Sequence, residues 1–179
     1  MAADLYAMNK DNAKAESYYS KAIQLNDKVP AFHVSLATFY VRQKLNDKAK
    51  AEFNAVLQKT HNSLAALMGL GMIAESEKKS DQAKEYYQKI LKINPNYPPA
   101  MNNLAYLMSE TGGNIDEALN LAQKGKEMNP DDPLVTDTLG WIYYKKNIFN
   151  TAVNYLNEAS DKAPESSVIQ YHLGMAYYK

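Results

Sequence analysis

Residues 139–164, LGWIYYKKNIFNTAVNYLNEASDKAP, decide the fold of this chain, because residues 70–95, LGMIAESEKKSDQAKEYYQKILKINP, repeat their pattern without a gap. Leu139-Gly140 falls on Leu70-Gly71, Ala152 on Ala83 and Pro164 on Pro95. Leading into and through the earlier copy, Leu67, Leu70, Gly71 and Ala74 recur at helical spacing until Ser80-Asp81 interrupts them. Ala83, Tyr87, Ile90 and Leu91 then resume the period as far as Asn94-Pro95. Each copy is therefore two amphipathic helices. Ser80 is expected to cap the second helix, and proline to end it, since it lacks an amide and clashes with the preceding turn.

Working outward, the same register covers the whole chain. Ala15, Ala49, Ala83, Ala118 and Ala152 form one column, the first three followed four residues later by Tyr19, Phe53 and Tyr87. Asp27, His61, Pro95, Pro130 and Pro164 form a second, at the turn between repeats. A third runs through Leu36-Ala37, Leu70-Gly71, Leu104-Ala105, Leu139-Gly140 and Leu173-Gly174. All three are spaced 34, 34, 35 and 34 residues apart. The extra residue falls in Thr111-Gly112-Gly113-Asn114, a loop signal where insertion costs least. The small residue after each leucine lets two helices approach closely, and the alanine and aromatic columns supply a hole and its knob.

A 34-residue helical hairpin with Leu-Gly/Ala, a following Tyr, then Ala, an aromatic and a closing Pro resembles the tetratricopeptide repeat. The likeness implies an all-α fold, a right-handed superhelical solenoid of antiparallel helix pairs, with about eleven helices. The expected units are a partial repeat over 1–29, full repeats over 30–63, 64–97, 98–132 and 133–166, and the first helix of a sixth over 167–179. Ala122 and Gly125 replace an aromatic and an alanine of the pattern, and Ala74 a tyrosine, which puts local packing in question there. Residues 101–146 also resemble the repeats of long bacterial proteins of this family, some associated with envelope, exopolysaccharide or protein-sorting systems. SVIQYHLGMAYYK (167–179) still carries Leu173, Met175 and Tyr177, which in such an array face a next helix. We therefore expect the chain to be a segment of a longer array, able to associate end to end through its last helix.

Composition closes off other classes. Lys+Arg and Asp+Glu both number 20, so no net field draws the chain to nucleic acid or an anionic membrane. With no cysteine there is no disulfide, thiolate zinc site or cysteine nucleophile, and the compartment stays undecided. Apolar runs are too short to cross a membrane, and the first residues do not read as a signal peptide. His33, His61 and His172 are far apart in repeat order and read as surface or groove histidines, not metal ligands. Gly112-Gly113 lacks the Gly-Lys-Ser/Thr of a phosphate loop and reads as a turn. No nucleophile is paired with a base, so neither an enzyme nor a cofactor is expected.

In arrays of this family the first helices of successive repeats line a concave surface, the usual ligand site. Helical periodicity assigns to that surface Val34, Thr38 and Arg42, then Met68 and Met72, then Asn102 and Tyr106. Asp137, Trp141, Tyr144 and Lys145 follow, and finally Tyr171 and Met175. Leu139, Gly140 and Tyr143 already fill the packing columns, which leaves Trp141 and Tyr144 for a partner, with Asp137 and Lys145 as polar selectors. Tyrosine and tryptophan are enriched among interface anchors, and methionine adds adaptability. A carboxylate clamp for chaperone tails is not expected, because Val34, Thr38, Met68, Met72 and Tyr106 occupy the matching faces. The expected partner is a protein or peptide held in an aromatic and methionine-lined groove. The alternative is a structural scaffold assembling through end and convex surfaces.

Overall fold

The computed structural model describes residues 2–179, and among them there are eleven α-helices and no strand. The helices are α1 (Ala2–Met8), α2 (Asn12–Leu25), α3 (Pro30–Arg42), α4 (Asn46–Lys59), α5 (Leu64–Ser76) and α6 (Ser80–Ile93). They continue as α7 (Pro98–Glu110), α8 (Ile115–Met128), α9 (Pro133–Lys145), α10 (Phe149–Lys162) and α11 (Ser167–Tyr178). Two compact units divide at Ile93/Asn94, so α1–α6 and α7–α11 are treated separately.

Local chemistry sets the helix ends. Pro30, Pro98 and Pro133 open α3, α7 and α9, where a missing amide costs nothing. Ser63, Asn114 and Asp132 accept backbone N–H bonds from the first turns of α5, α8 and α9. Ser80 is already the first helical residue of α6, one position inside the expected cap. Inside four hairpins the turn passes through a left-handed residue, Lys10, Lys44, Lys78 or Asn147, and in the α7–α8 hairpin through Gly112. Lys44 N–H then bonds to Val41 O and Leu45 N–H to Tyr40 O, satisfying carbonyls that the helix end would leave open. The interval from Gly112 to Asn147 is the long one, so the extra residue lies after Gly112.

The three sequence columns are the core. Ala15, Ala49 and Ala83 are completely buried in the first unit, as are Ala118 and Ala152 in the second. Phe53 of α4 packs on Gly69 of α5, Tyr87 of α6 on Gly71, and Leu156 of α10 on Gly140 of α9. In each case the glycine leaves the space that the knob fills. Where Ala122 and Gly125 depart from the pattern, Met101 and Val135 move into the space beside Gly125, so the packing there is kept. Lys126 ties the following loop down, its ammonium donating to Pro130 O at 2.6 Å, Thr136 Oγ1 at 2.7 Å and Glu158 Oε1 at 2.6 Å.

Candidate functional site

In the first unit the candidate residues sit on α3 and α5. Val34 is half-buried against the core, while Thr38 is exposed and donates its hydroxyl to Val34 O at 2.8 Å. Arg42 is exposed in the last turn of α3, where its charge also suits the negative end of the helix. Met68 is half-buried and Met72 is 51% exposed. Glu75, one turn beyond Met72, accepts the Tyr87 hydroxyl at 2.6 Å. Burial raises its carboxyl above the ordinary range, partly opposed by that hydrogen bond. At the other end of the unit Tyr19 donates to Asp4 at 2.6 Å, and burial, with that carboxylate, pushes the phenol up to about 12.

The second unit corrects two expectations. Trp141 is only 5% exposed, and Asp137 only 4%. The indole is not an open face of a trough. It stacks on His172 of α11 at 4.0 Å between centroids and on Tyr144 of its own helix at 4.7 Å. Tyr171 flanks it at 6.4 Å, while Tyr106 of α7 lies 6.2 Å from His172 instead. Trp141 Nε1–H donates to Glu110 of α7 at 2.8 Å, so the ring joins α7, α9 and α11 and is not enclosed within its own α9–α10 hairpin. Asp137 is buried away from a partner's rim, while Lys145 stays exposed but is paired. His172 Nδ1 lies 2.9 Å from both Asp137 oxygens. Lys145 pairs with Glu110 at 2.9 Å and sits 5.0 Å over the indole.

Burial alone would raise the Glu110 carboxyl, but hydrogen bonds from Trp141 and Lys145 outweigh it and hold the group below the usual carboxylate range. His172 and His33 are buried, not the surface or groove histidines expected from sequence; His33 Nδ1 meets Glu52 at 2.6 Å. His61 is exposed. Glu110 and His172 were absent from the expected set, yet they hold Trp141 in place. The available signal was spacing: Glu110 precedes Trp141 by 31 residues and His172 follows Asp137 by 35, each close to one repeat.

Of the expected residues in the second unit, Tyr171 is 60% exposed and Lys145 is exposed, with Tyr106, Tyr144 and Met175 half-buried. Asn102 is partly accessible as a residue, but its Oδ1 is enclosed and finds no donor. Leu173, expected to await a further helix, is instead half-buried against the α10 cluster, whereas Tyr177 is exposed. Among the described residues no group of His, Asp and Glu is arranged to hold a metal ion, and no helix is long and apolar enough to cross a membrane.

Comparison with known proteins agrees with this architecture. The tetratricopeptide repeat family profile matches residues 6–71 and 74–142. A TPR repeat-containing protein of Pseudomonas aeruginosa, PA4667, is 35% identical over 80 residues, which is 45% of this chain but only 13% of that protein's length. Among solved structures, that of Pseudomonas aeruginosa pilF superposes with a TM-score of 0.82 at 15% identity, covering 99% of this chain and 81% of that one. YrrB, described as a TPR protein with an unusual peptide-binding site, superposes at 0.68 with 21% identity, over 94% of this chain and 87% of its own. At such identities the likeness to solved structures concerns the fold alone.

Proposed function

Because the chain belongs to the tetratricopeptide-repeat family, whose fold serves in general as a non-catalytic protein-interaction module, we propose that it binds a segment of another protein along the inner flanks of its first helices. One observation carries this. Helix α5 is apolar on every side before Glu75, yet Ala65 and Met72 stay exposed and Met68 half-open. A helix apolar all round is normally buried all round, and an open apolar flank on one marks a surface that a partner covers. Methionine suits that task because its unbranched, polarisable side chain adapts to different shapes. YrrB, a protein of the same fold, carries a peptide-binding site, which supports the reading by analogy only. In the second unit Tyr171, Tyr106 and Tyr144 are the rings that could reach a partner, with Trp141 and Asp137 as the support behind them.

The test is methyl NMR with methionine-labelled protein and peptides selected by display on it. Met68 and Met72 methyl signals should shift on binding while those of the buried Met101 and Met108 stay put. Selected peptides that leave Met68 and Met72 unmoved would end this assignment.

A second reading has its own observation. Gly174 stands in the column of Gly71 and Gly140, but a β-carbon built on it would meet nothing within 4 Å, where the others meet Tyr87 and Leu156. With Tyr177 and Tyr178 exposed beside it, this flank of α11 suits assembly with a further helix. A dilution series by sedimentation velocity, with and without an appended polar helix, tests it. A strict monomer in both rules this reading out.

A further inference from the structure

We propose that the second unit docks a cationic amphipathic helix of another protein along the edge formed by its α8–α9 and α10–α11 turns, a surface separate from the inner flanks of the first helices. Lys162 holds these two turns side by side, donating to Pro130 O at 3.2 Å and pairing with Asp131 at 3.1 Å. Three large apolar side chains stand open along the edge. Met128 ends α8, while Leu134 and Val168, the second residues of α9 and α11, are each more than half exposed. Leu134 and Val168 lie 34 residues apart, one repeat, and the same position of the first unit carries only Ala31 and Ala65. None of the three packs into the core, and open apolar side chains gathered on one edge mark a surface that a partner covers.

The charge around these side chains selects the partner. Residues 94–179 hold six lysines and ten acids. Six of those acids but only two of the lysines fall within 126–134 and 158–168, the turns and the helix ends beside them, so the unit's excess of negative charge lies on this edge. Both lysines are engaged, Lys126 by Glu158 and Lys162 by Asp131 and Glu158, and Asp132 caps α9. Glu127, Asp161 and Glu165 are exposed, and no hydrogen bond or ion pair engages them among the described residues. Glu165 suits the positive end of α11, but Glu127 and Asp161 lie in the last turns of α8 and α10, where the helix dipole opposes a negative charge. These two are one repeat apart, and the same position of α6 carries Lys92, the sign that the dipole favours. Folding alone therefore works against both acids, whereas a cationic partner supplies their counter-charge. Anionic lipid and nucleic acid are repelled by the same field. A helix rises about 1.5 Å per residue, so apolar residues about seven apart span the roughly 8–10 Å between packed helices, setting one on Leu134 of α9 and the next on Val168 of α11.

The probe is a dye-labelled leucine–lysine peptide patterned as an amphipathic helix, titrated with the 179-residue chain and followed by fluorescence anisotropy. Its controls are a scrambled peptide of the same composition and a leucine–glutamate peptide of the same pattern. The patterned cationic peptide should bind and the controls should not. Leu134→Gln together with Val168→Gln should weaken binding on the order of tenfold, by removing apolar area that the partner covers. Glu127→Gln together with Asp161→Asn should weaken it by a similar order at low salt and flatten its salt dependence. The same pair should raise the melting temperature slightly, because it takes acids away from helix C-termini. Met72→Gln, on the inner flank, should leave binding unchanged. In the wild-type protein the Met128 methyl signal should move on titration while that of Met72 stays, a readout that needs no variant to fold. Binding of the scrambled peptide, indifference to the edge substitutions, or an unmoved Met128 would each overturn the proposal. Weakening by Met72→Gln but not by the edge substitutions would return the peptide to the inner flank, leaving the groove intact and this surface refuted. Concentration-dependent association of the chain by itself, abolished by the edge substitutions, would give the edge to a second copy and overturn the cationic partner.

Discussion

The same substitution, glycine to alanine, should have opposite effects at Gly71 and Gly174, although both lie within a first helix and share one repeat column. In an exposed helix interior the change is favourable by about 1 kcal/mol, because glycine loses more backbone freedom on folding. At Gly174 nothing opposes that gain, since the new β-carbon would meet no atom within 4 Å. At Gly71 it would lie 2.5 Å from Tyr87 Cε1, 3.0 Å from Cζ and 3.1 Å from Cδ1. Tyr87 cannot swing aside easily, being fully buried with its hydroxyl held by Glu75 at 2.6 Å. Overpacking of this kind typically costs about 1–3 kcal/mol. Because the helix-propensity gain is common to both sites, the difference between the two variants measures the overpacking alone. Gly140→Ala should lie at the upper end of that range, as the new atom would stand 2.7 Å from Leu156 Cγ and 3.2 Å from its backbone nitrogen, which cannot rotate away. Urea unfolding followed by circular dichroism gives all three free energies. Gly71→Ala equal to or above Gly174→Ala in stability would refute the knob-and-hole account of the core.

Trp141 emission should be that of a buried indole, with weak iodide quenching, and Trp141→Ala should cost about 3–5 kcal/mol of stability as other core aromatic truncations do; strong quenching would reverse the burial assignment. Glu75→Gln and Glu110→Gln should respond to pH with opposite signs. Glu75 has its folded pKa raised, so its stabilising contribution is complete below the unfolded value and lost as pH rises through the folded one; Glu75→Gln should gain on wild type toward neutral pH. Glu110 has its folded pKa lowered, so its contribution is present above the unfolded value and lost as pH falls through the folded one; Glu110→Gln should be weaker than wild type at neutral pH and converge with it in acid. Parallel stability profiles for the two would contradict this. Lys44→Gly and Lys78→Gly should each relieve about 1 kcal/mol of left-handed backbone strain, less the entropy glycine adds to the unfolded chain, and urea midpoints that fall in both would count against the turn analysis.

The helices were legible in the sequence because their causes are periodic: an alanine column, a leucine-small column and a turn column in one register leave little freedom. The site was only half legible, and Trp141 shows why. Its own hairpin offered no vacant packing column, so the ring seemed free for a partner. Yet the flank of a first helix also meets the first helices of the repeats before and after it, and there Glu110 and His172 were waiting. Such partners lie near one repeat length apart in sequence. The pairs Lys48–Glu16, Lys59–Asp27, Lys126–Glu158 and Lys162–Asp131 are each separated by 31 or 32 residues, and Lys146–Asp116 by 30. A polar or aromatic side chain on a first helix with a complementary group one repeat away is thus more economically explained as a join between repeats than as bait for a ligand. Applied to the expected groove, that criterion removes Trp141, Asp137 and Lys145. It leaves Met72 and Tyr171, both exposed, whereas Arg42, exposed too, lines one cavity with Asp4 and helps hold that carboxylate below its usual range. A partner would have to be read by these remaining groups, which is why the discriminating substitution belongs at Met72 and not at the tryptophan.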